Sequence, residues 1–464
     1  MNPAPMTPEA TRPSAGQARR PSTLPKRVAA PSGSLYRMIW RWHFYAGILV
    51  APTLLVVTIT GALYIFRSEI ENLAHADLRF VAPAGERAGA QAQVDAAVEA
   101  FPGRPPASIE LPADPGRSSV VRLGEGRGAL AVHVDPFRAR PLGAIDPDRP
   151  GWTEAFFTTV LKIHRELLAG WPGRLVVELT VGWTILLLAT GLYLWWPRRG
   201  GGPAGVWWAR FRAKPYTVLR DLHTVLGFYL LAPVAVIAVS GLFYCLVWGE
   251  AFHRATRGRP EASGGGTPST SAAVRGDPDP TPMPALSLDR IEALARARYP
   301  DRNLFITLPE PGSRTFSLSA GNDYDNSYGP FVSARFELDR RDGRMVSHST
   351  LAEDERYWWH GWAYPLHVGS VLGPTTKVIW LVACLVLAAM PVTGLWMWWI
   401  RRPAGRAGFP RRPDRPVPRG LVAAIAALSL LLPVVGASIL LILTGEAIVG
   451  VVRRALARQS PAPA

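Results

Sequence analysis

Cysteine and acidic residues are scarce in this sequence. Two cysteines among 464 residues exclude a disulfide-built secreted scaffold and a cysteine-rich zinc or iron–sulfur site. The 35 acidic residues are outnumbered by 51 basic ones, which gives a formal net charge of +16. A nucleic-acid binder of this charge would be polar, yet 48% of the residues are hydrophobic. The combination indicates an integral membrane protein in contact with the lipid bilayer and with no nucleic-acid partner.

Five segments are apolar and long enough to cross a bilayer, which takes about 20 residues of helix. They are residues 35–66, 173–196, 223–248, 374–399 and 420–446. We therefore predict a membrane α-helical bundle of four core transmembrane helices with a fifth C-terminal helix. A tail precedes the first span and another follows the last; they are residues 1–34 and 447–464.

The excess of basic charge lies in three hydrophilic parts of the chain. Residues 1–42, 197–222 and 400–419 hold 20 of the basic residues and three of the acidic ones. Basic segments next to membrane spans stay in the cytoplasm, so we predict that these three parts, including the N-terminus, are cytoplasmic. The segments 67–172 and 249–373 then lie outside.

The chain repeats itself. The sequence HFYAGILVAPTLLVVTITG from His43 is matched by HTVLGFYLLAPVAVIAVSG from His223, and the second and fourth spans end in TGLYLWW and TGLWMWW. His164 and His367 precede these endings by the same spacing. A tandem duplication of span, external domain and span explains the matches. Each external segment reads as a helix followed by alternating strands, which predicts two small α+β domains.

Four of the nine histidines stand at equivalent repeat positions at the ends of spans. Such ionisable residues are functional candidates. Two histidines at one level on neighbouring helices suit the axial positions of a haem inside a bundle. His43 can meet His223 at the cytoplasmic end, and His164 can meet His367 at the external end, whereas 18 residues of helix separate the two levels by about 27 Å. The alternatives are interfacial histidines that anchor helices, and a zinc site, which takes about four ligands.

Glycines recur at fixed distances from these histidines. Position +18 lies five turns further along the same helix face, so Gly61 and Gly241 are predicted beside the external pair, where a side chain would block a flat macrocycle. The glycines predicted to flank the cytoplasmic pair are Gly47, Gly227, Gly191 and Gly394. Close helix packing through small residues is the alternative explanation.

The remaining histidines carry weaker patterns. His360 lies seven residues before His367 on the same helix face, so it is a candidate further metal ligand, a proton group or an interfacial residue. The others have no repeat partners and are interpreted as surface residues; they are His75, His133, His253 and His348.

These motifs resemble those of the PepSY-associated transmembrane proteins, often called iron-regulated membrane proteins. The matching features are RWHFYAG, LKIHRELLAG, RDLHTVLGFY, YPLHVGS and the two TGLxxWW endings, and the resemblance covers about residues 35–402. The external segments are similar to PepSY domains, including the strand–turn pieces VDPFRARPLG and LDRRDGRMVS.

The resemblance implies a di-haem b-type cytochrome of the bacterial inner (plasma) membrane that reduces a periplasmic ferric siderophore or another ferric chelate. It implies two haem b groups, with His43, His223, His164 and His367 as the ligands of the haem iron. Some relatives are fused to a cytoplasmic flavin reductase. Because the cytoplasmic loops here are too short for one, we expect a separate electron donor, either a flavoprotein or a membrane quinol.

Two other functions stay open. A non-redox PepSY-type binding or regulatory membrane protein would use the histidines structurally, and a permease would move a chelate or a metal. We expect the spans to lack the buried acidic residues and broken helices of transporters, although Pro52, Pro233 and Pro391 keep the permease alternative open.

Overall fold

The computed structural model of the chain describes residues 33–197, 202–256, 286–310, 312–321, 334–350, 355–405, 408–410 and 417–459. The α-helices in these residues are α1 Gly33–Tyr64, α2 Arg67–Ala74, α3 Ala76–Arg79, α4 Ala90–Ala100, α5 Trp152–Glu166, α6 Gly170–Trp195, α7 Pro215–Tyr229, α8 Leu231–Leu242, α9 Val247–Thr256, α10 Leu288–Arg298, α11 Glu355–Val368, α12 Pro374–Arg401, α13 Arg419–Leu431 and α14 Pro433–Gln459. The strands are β1 Pro106–Leu111, β2 Ser119–Leu123, β3 Leu130–Asp135, β4 Arg140–Ile145, β5 Asn303–Thr307, β6 Thr315–Gly321, β7 Ala334–Asp339 and β8 Met345–Thr350.

Four helices in the described part of the chain are long and apolar enough to cross a membrane. They are Leu35–Tyr64 within α1, the whole of α6 and α12, and Pro433–Val452 within α14. The helix α1 packs against both α6 and α12. Thr53 of α1 and Thr180 of α6 share a hydrogen bond of 2.8 Å, which links the two helices.

The third predicted span, 223–248, is a bent pair of helices. The axes of α7 and α8 differ by 64°, so the expectation that the spans lack broken helices is wrong here. Pro233 lies at the start of α8. It has no N–H to donate to the carbonyl of Tyr229, and its ring clashes with that carbonyl. The span also begins earlier than predicted, at Pro215.

The fifth predicted span, 420–446, is divided as well. The helix α13 ends at Leu431 and α14 begins at Pro433, because a proline at the first helical position ends the preceding helix. The stretch long enough to cross a membrane is Pro433–Val452, so the predicted range includes a short separate helix and stops before the end of the span. Val435 of α14 packs against Gly182 of α6.

The two segments that were predicted to be external share one continuous sheet, whereas the sequence predicted two small α+β domains. Each segment contributes a helix and four antiparallel strands, as the alternation predicted, but the order β4-β3-β2-β1-β5-β6-β7-β8 is continuous. The halves join where β1 pairs with β5, with Ile109 opposite Ile306. Each half therefore covers an edge strand of the other, and both segments lie on one side of the bundle. We call that end of the bundle the sheet side and the opposite end the loop side.

One face of this sheet is buried under α4 and α10. Alternate strand residues such as Val121, Ile109, Ile306 and Phe336 form a single apolar core with the two helices. The residues between them point to the other, more polar face. The short helix α3 lies beside β3 and β4.

Two spans contain a buried charged residue, and one of the two, Glu178, contradicts the expectation that the spans lack buried acidic residues. Glu178 of α6 is 3% exposed and accepts the backbone N–H groups of Val247 and Trp248 at 2.7 and 2.9 Å. Lys377 of α12 is also 3% exposed, and its ammonium donates to Glu69 Oε1 at 2.7 Å. Both groups are partnered, which is the condition under which charges are tolerated in a membrane bundle.

Candidate functional site

On the loop side, the structure brings His43 of α1 and His223 of α7 together. The centres of their imidazole rings are 6.5 Å apart, and the ring planes cross at 82°. The helices that carry them enter the bundle from the same end, so the two rings lie at one level.

On the sheet side, the rings of His164 and His367 form a second pair. Their centres are 6.0 Å apart with an interplanar angle of 55°. These two residues lie in α5 and α11, which precede the spans α6 and α12. A turn separates each of these helices from its span; at the first turn, Leu167 adopts a left-handed conformation with φ of 51°.

The loop-side rings are both oriented by threonines. Nδ1 of His43 lies 2.9 Å from Thr190 Oγ1, and Nδ1 of His223 lies 2.9 Å from Thr393 Oγ1. Each hydroxyl donates its only proton to the carbonyl four residues earlier in its own helix, at 2.7 and 2.9 Å. The threonine oxygen is therefore the acceptor, and Nδ1 of each histidine is the donor.

The sheet-side rings are oriented by backbone carbonyls. Nδ1 of His164 lies 2.9 Å from the carbonyl oxygen of Val57, and Nδ1 of His367 lies 3.0 Å from that of Ile237. A carbonyl can only accept, so Nδ1 carries the proton here too. When each ring is neutral, its lone pair therefore lies on Nε2, the atom that binds a metal when Nδ1 is hydrogen-bonded.

Two of the predicted glycines lie directly against the sheet-side rings. A Cβ atom at Gly61 would lie 3.1 Å from Cε1 of His164, and one at Gly241 would lie 3.1 Å from Cε1 of His367. A side chain at either position would require the imidazole to shift by a few tenths of an ångström. These glycines lie beside the sheet-side pair, as their spacing predicted, and the close approach of the histidine rings accounts for the lack of a side chain.

The other four predicted glycines line a cavity on the loop side. A Cβ atom at Gly191 would lie 3.4 Å from His43, and one at Gly394 would lie 3.8 Å from His223, while an added Cβ at Gly47 would meet nothing within 4 Å. The sulfur of Met390 would be 3.8 Å from a Cβ at Gly227. The absence of these side chains widens the cavity.

This cavity has a volume of about 950 Å³ and contains both loop-side histidines. Pockets for cofactors measure about 300–1,000 Å³ and are mostly apolar with a few charged groups. The charged residues that line this one are Arg37, Arg220 and Arg401. Arg220 is held in place by the fully buried Asp221, whose carboxylate it approaches to 2.6 Å.

The ring spacing of the two pairs would suit two histidine ligands on one haem iron. Two opposed bonds of about 2 Å from iron to imidazole nitrogen put the ring centres about 6 Å apart, close to the 6.5 and 6.0 Å seen here. Within the described residues, no group of three or more His, Cys, Asp or Glu side chains could hold a metal. A zinc ion held by the protein needs at least three such ligands.

The family profile of the PepSY-associated TM region matches residues 40–401. The chain belongs to this family. The match confirms the resemblance seen in the sequence and includes all four paired histidines, whereas α13 and α14 lie beyond it. No curated protein matches the chain.

Sequence reasoning missed three residues that orient the loop-side site, all within the PepSY-associated region. Thr190 and Thr393 are the first residues of the repeated TGLxxWW endings, so the sequence already shows that they are equivalent. Which histidine each threonine contacts depends on how the helices pack, and the sequence does not give that. Asp221 lies two residues before His223 and had no counterpart in the first copy, where Arg41 stands.

The prediction that the remaining histidines lie on the surface is wrong for His133. It is 6% exposed rather than on the surface, and its Nδ1 lies 3.0 Å from Ser118 Oγ. His75 is also partnered, with its Nε2 2.6 Å from Glu154 Oε1. His360 lies in α11, but its side chain is outside the part of the chain that the structure describes.

Proposed function

We propose that this membrane protein is a di-haem b-type cytochrome that moves electrons across the bacterial inner membrane and reduces a ferric siderophore or another ferric chelate. The observation that supports this function best is one histidine pair at each end of the bundle, with ring spacing and Nδ1 hydrogen bonds suited to two axial ligands. A purely structural role for the histidines would not require four rings whose Nε2 atoms are all left with the lone pair.

In this proposal His43 and His223 hold one haem b, and His164 and His367 hold the other. Bound haem iron supplies reversible one-electron transfer. The threonine hydroxyls and backbone carbonyls on Nδ1 fix each ring in one tautomer and orientation. On the loop side, the guanidinium groups of Arg37, Arg220 and Arg401 would bind the haem propionates, because arginine pairs well with carboxylates.

The tandem duplication accounts for the two sites. Each copy supplies one histidine to each pair, so neither copy alone would complete a bis-histidine site. From the basic segments we infer that the N-terminus and the loop side are cytoplasmic and that the sheet side is periplasmic. The electron donor, a separate flavoprotein or a quinol, would then act at the loop side, and the ferric chelate at the sheet side.

A permease for a chelate or a metal is the second candidate. The 64° break between α7 and α8 and the buried Glu178 are features that transporters use to bind cargo. Here, however, Glu178 is satisfied by two N–H groups at the start of α9, and Pro233 explains the break. Both features therefore have a local structural cause.

The deciding experiment is a reduced-minus-oxidised absorbance spectrum of the purified protein, expressed with added haem, together with the haem-to-protein ratio. We expect a b-type spectrum and two haems per chain. A folded protein without a Soret band would overturn the redox proposal and favour a non-redox PepSY-type binding or regulatory protein. Uptake of a radiolabelled ferric chelate by proteoliposomes containing haem-free protein would instead favour the permease.

A further inference from the structure

Two arginines stand where the first copy of the repeat enters the bundle from the sheet side. Arg165 directly follows His164 at the end of α5, and Arg174 lies near the start of α6. The side chain of Arg165 is exposed, whereas that of Arg174 is half-buried. We call these two residues the arginine pair.

The turn between α5 and α6 brings the backbones of the arginine pair together. A Cβ atom at Gly173 would overlap the carbonyl oxygen of Glu166, so the start of α6 packs tightly against the end of α5. Arg165 precedes Glu166 in the chain, and Arg174 follows Gly173. Both side chains therefore start from adjoining backbone segments next to His164.

The arginine pair also lies near the helix that contacts the other sheet-side histidine. Both guanidinium groups act electrostatically on the thiol of Cys245, and Arg165 acts on the ring of His164 as well. The Cys245 thiol donates to the carbonyl oxygen of Gly241 at 3.6 Å. A Cβ atom at Gly241 would in turn lie 3.1 Å from Cε1 of His367. The pair is thus close to His164 on one side and to the α8 residues beside His367 on the other.

The arginine pair is not neutralised by the described part of the chain. Neither guanidinium group forms a hydrogen bond or an ion pair with another described residue. Glu178, one turn after Arg174 in α6, instead accepts the backbone N–H groups of Val247 and Trp248. Because charged groups in a membrane bundle are paired as a rule, the half-buried Arg174 needs an anionic partner from elsewhere.

The second copy of the repeat neutralises its corresponding cation. The offset between the sheet-side histidines relates Arg174 to Lys377, which is buried and pairs with Glu69 at 2.7 Å. The offset between the loop-side histidines relates Glu69 to Gly249. The acid that serves Lys377 is therefore missing at the position where it would serve Arg174.

Neither membrane insertion nor the scaffold requires the arginine pair. Basic residues that orient a membrane protein lie on its cytoplasmic side, and the sheet side is the opposite end of the bundle in the proposed topology. Val368 stands at the position equivalent to Arg165, so the corresponding helix end forms without an arginine. A bound anion explains the pair better than folding or insertion does.

We propose that Arg165 and Arg174 bind the propionate carboxylates of the haem held by His164 and His367. This inference rests on the proposed function, because it names the groups that anchor the sheet-side haem. Arginine binds a carboxylate through two parallel hydrogen bonds. Phosphate headgroups of lipids carry similar chemistry, so the test has to separate the two sources.

The test removes the charge from the ligand as well as the arginine from the protein. Full-length His43→Ala protein, which lacks one loop-side ligand, is prepared without haem in phosphatidylcholine nanodiscs. It is titrated with haem b and with haem b dimethyl ester, whose propionates are neutral, and binding is measured by Soret absorbance. Arg174→Gln and Arg165→Gln, each added to this protein, should weaken haem b binding about tenfold, the effect of one lost charge-assisted hydrogen bond. Binding of the dimethyl ester should not change.

The matched control is Arg254→Gln in the same protein. Arg254 is an arginine of α9 that is already paired with Glu250 at 2.8 Å, so its loss should leave the binding of both ligands unchanged. Arg174→Lys keeps the charge but not the planar fork, and its affinity for haem b should lie between those of the arginine and the glutamine proteins.

An equal loss of affinity for haem b and for the dimethyl ester would overturn the inference, because the arginine would then support the site without binding a propionate. Since Arg165 is exposed, Arg165→Gln remains informative if Arg174→Gln fails to fold. Native mass spectrometry in nanodiscs with added phosphatidylglycerol tests the lipid. Unchanged haem b binding in both variants, with loss of bound phosphatidylglycerol, would assign the pair to lipid and overturn the inference. No Soret band from the His43→Ala protein with both arginines intact would overturn the proposed function itself.

Discussion

The hydroxyl oxygen of Thr190 lies 2.9 Å from Nδ1 of His43. The two residues belong to different helices and are 147 positions apart in the chain. Thr393 has the same relationship to His223. Each contact links an even-numbered predicted span, α6 or α12, to the helix that carries the histidine. The TGLxxWW ending therefore has a specific use, which is to fix the ring of a histidine from a neighbouring helix.

Removing these hydroxyls should alter the loop-side haem without releasing it. Thr190→Val and Thr393→Val keep the shape of the side chain but remove the acceptor for Nδ1–H. The imidazole then becomes a weaker electron donor, which stabilises Fe(III) less. We expect the midpoint potential of one haem to rise by about 60 mV. For a one-electron couple this shift corresponds to an increase of about tenfold in the preference of the site for Fe(II) over Fe(III).

A potentiometric titration of the purified variants measures this shift. The control is Thr159→Val, because the exposed Thr159 bonds only to the carbonyl of Ala155 in its own helix. If both threonine variants titrate like the control, the hydrogen bonds to Nδ1 do not tune the site.

The pairing itself can be tested by haem stoichiometry. His43→Ala and His223→Ala should each lose the same haem, and the double variant should lose no more than either single one, because in the proposed function both rings would bind one iron. His164→Ala and His367→Ala should lose the other haem in the same way. His348→Ala is the control, since its ring contacts Tyr299 at 2.6 Å in the sheet. A double variant that loses both haems would contradict the pairing.

The apolar runs predicted most of the bundle, because a bilayer sets a minimum length for a helix that crosses it. The breaks could not be read from proline alone. Pro52 and Pro391 lie inside continuous helices, whereas Pro233 and Pro433 stand where helices end. Whether neighbouring helices satisfy the carbonyl freed by a proline depends on packing, which no local pattern contains.

The continuous sheet was beyond sequence reasoning for a similar reason. Alternating residues predicted the strands of each half, but Ile109 pairs opposite a residue nearly 200 positions away. The repeat identified candidate histidines and glycines by their spacing. It gave no sign of the buried His133, because this histidine occurs in one copy only and its burial depends on how α3 packs beside β3 and β4.

The close glycines on the sheet side lead to a third prediction. Gly61→Ala and Gly241→Ala place a methyl group 3.1 Å from an imidazole carbon, so each should lower haem occupancy at the sheet side. Alanine favours a helix by about 1 kcal/mol relative to glycine, so these substitutions should not unfold the helices. Loss of haem without loss of thermal stability would therefore show that the added methyl group acts on the histidine ring. Gly420→Ala, with nothing within 4 Å of the added Cβ, should keep both haems. Full haem content in the Gly61 and Gly241 variants would show that the rings can shift freely.

The buried His133 should make the sheet sensitive to acid. Burial and the nearby arginines lower the pKa of this ring from 6.5 to about 4 in the folded protein. Between these two pH values the unfolded chain binds a proton that the folded chain does not, so the free energy of unfolding falls as the pH falls through this window and is unaffected above it. A shift of this size corresponds to about 3 kcal/mol.

Amide hydrogen exchange of β2 and β3 at pH 6.5 and at pH 4, corrected for the intrinsic exchange rate, measures this loss locally. Protonating the ring adds a buried charge beside the guanidinium groups of Arg79, Arg117 and Arg122, which already act on it electrostatically. His133→Gln keeps a hydrogen-bonding group there but cannot titrate, and its protection should be nearly the same at both pH values. His348→Gln is the control and should retain the pH dependence of the unaltered protein. If His133→Gln also loses protection in acid, groups other than this ring control the acid response of the sheet.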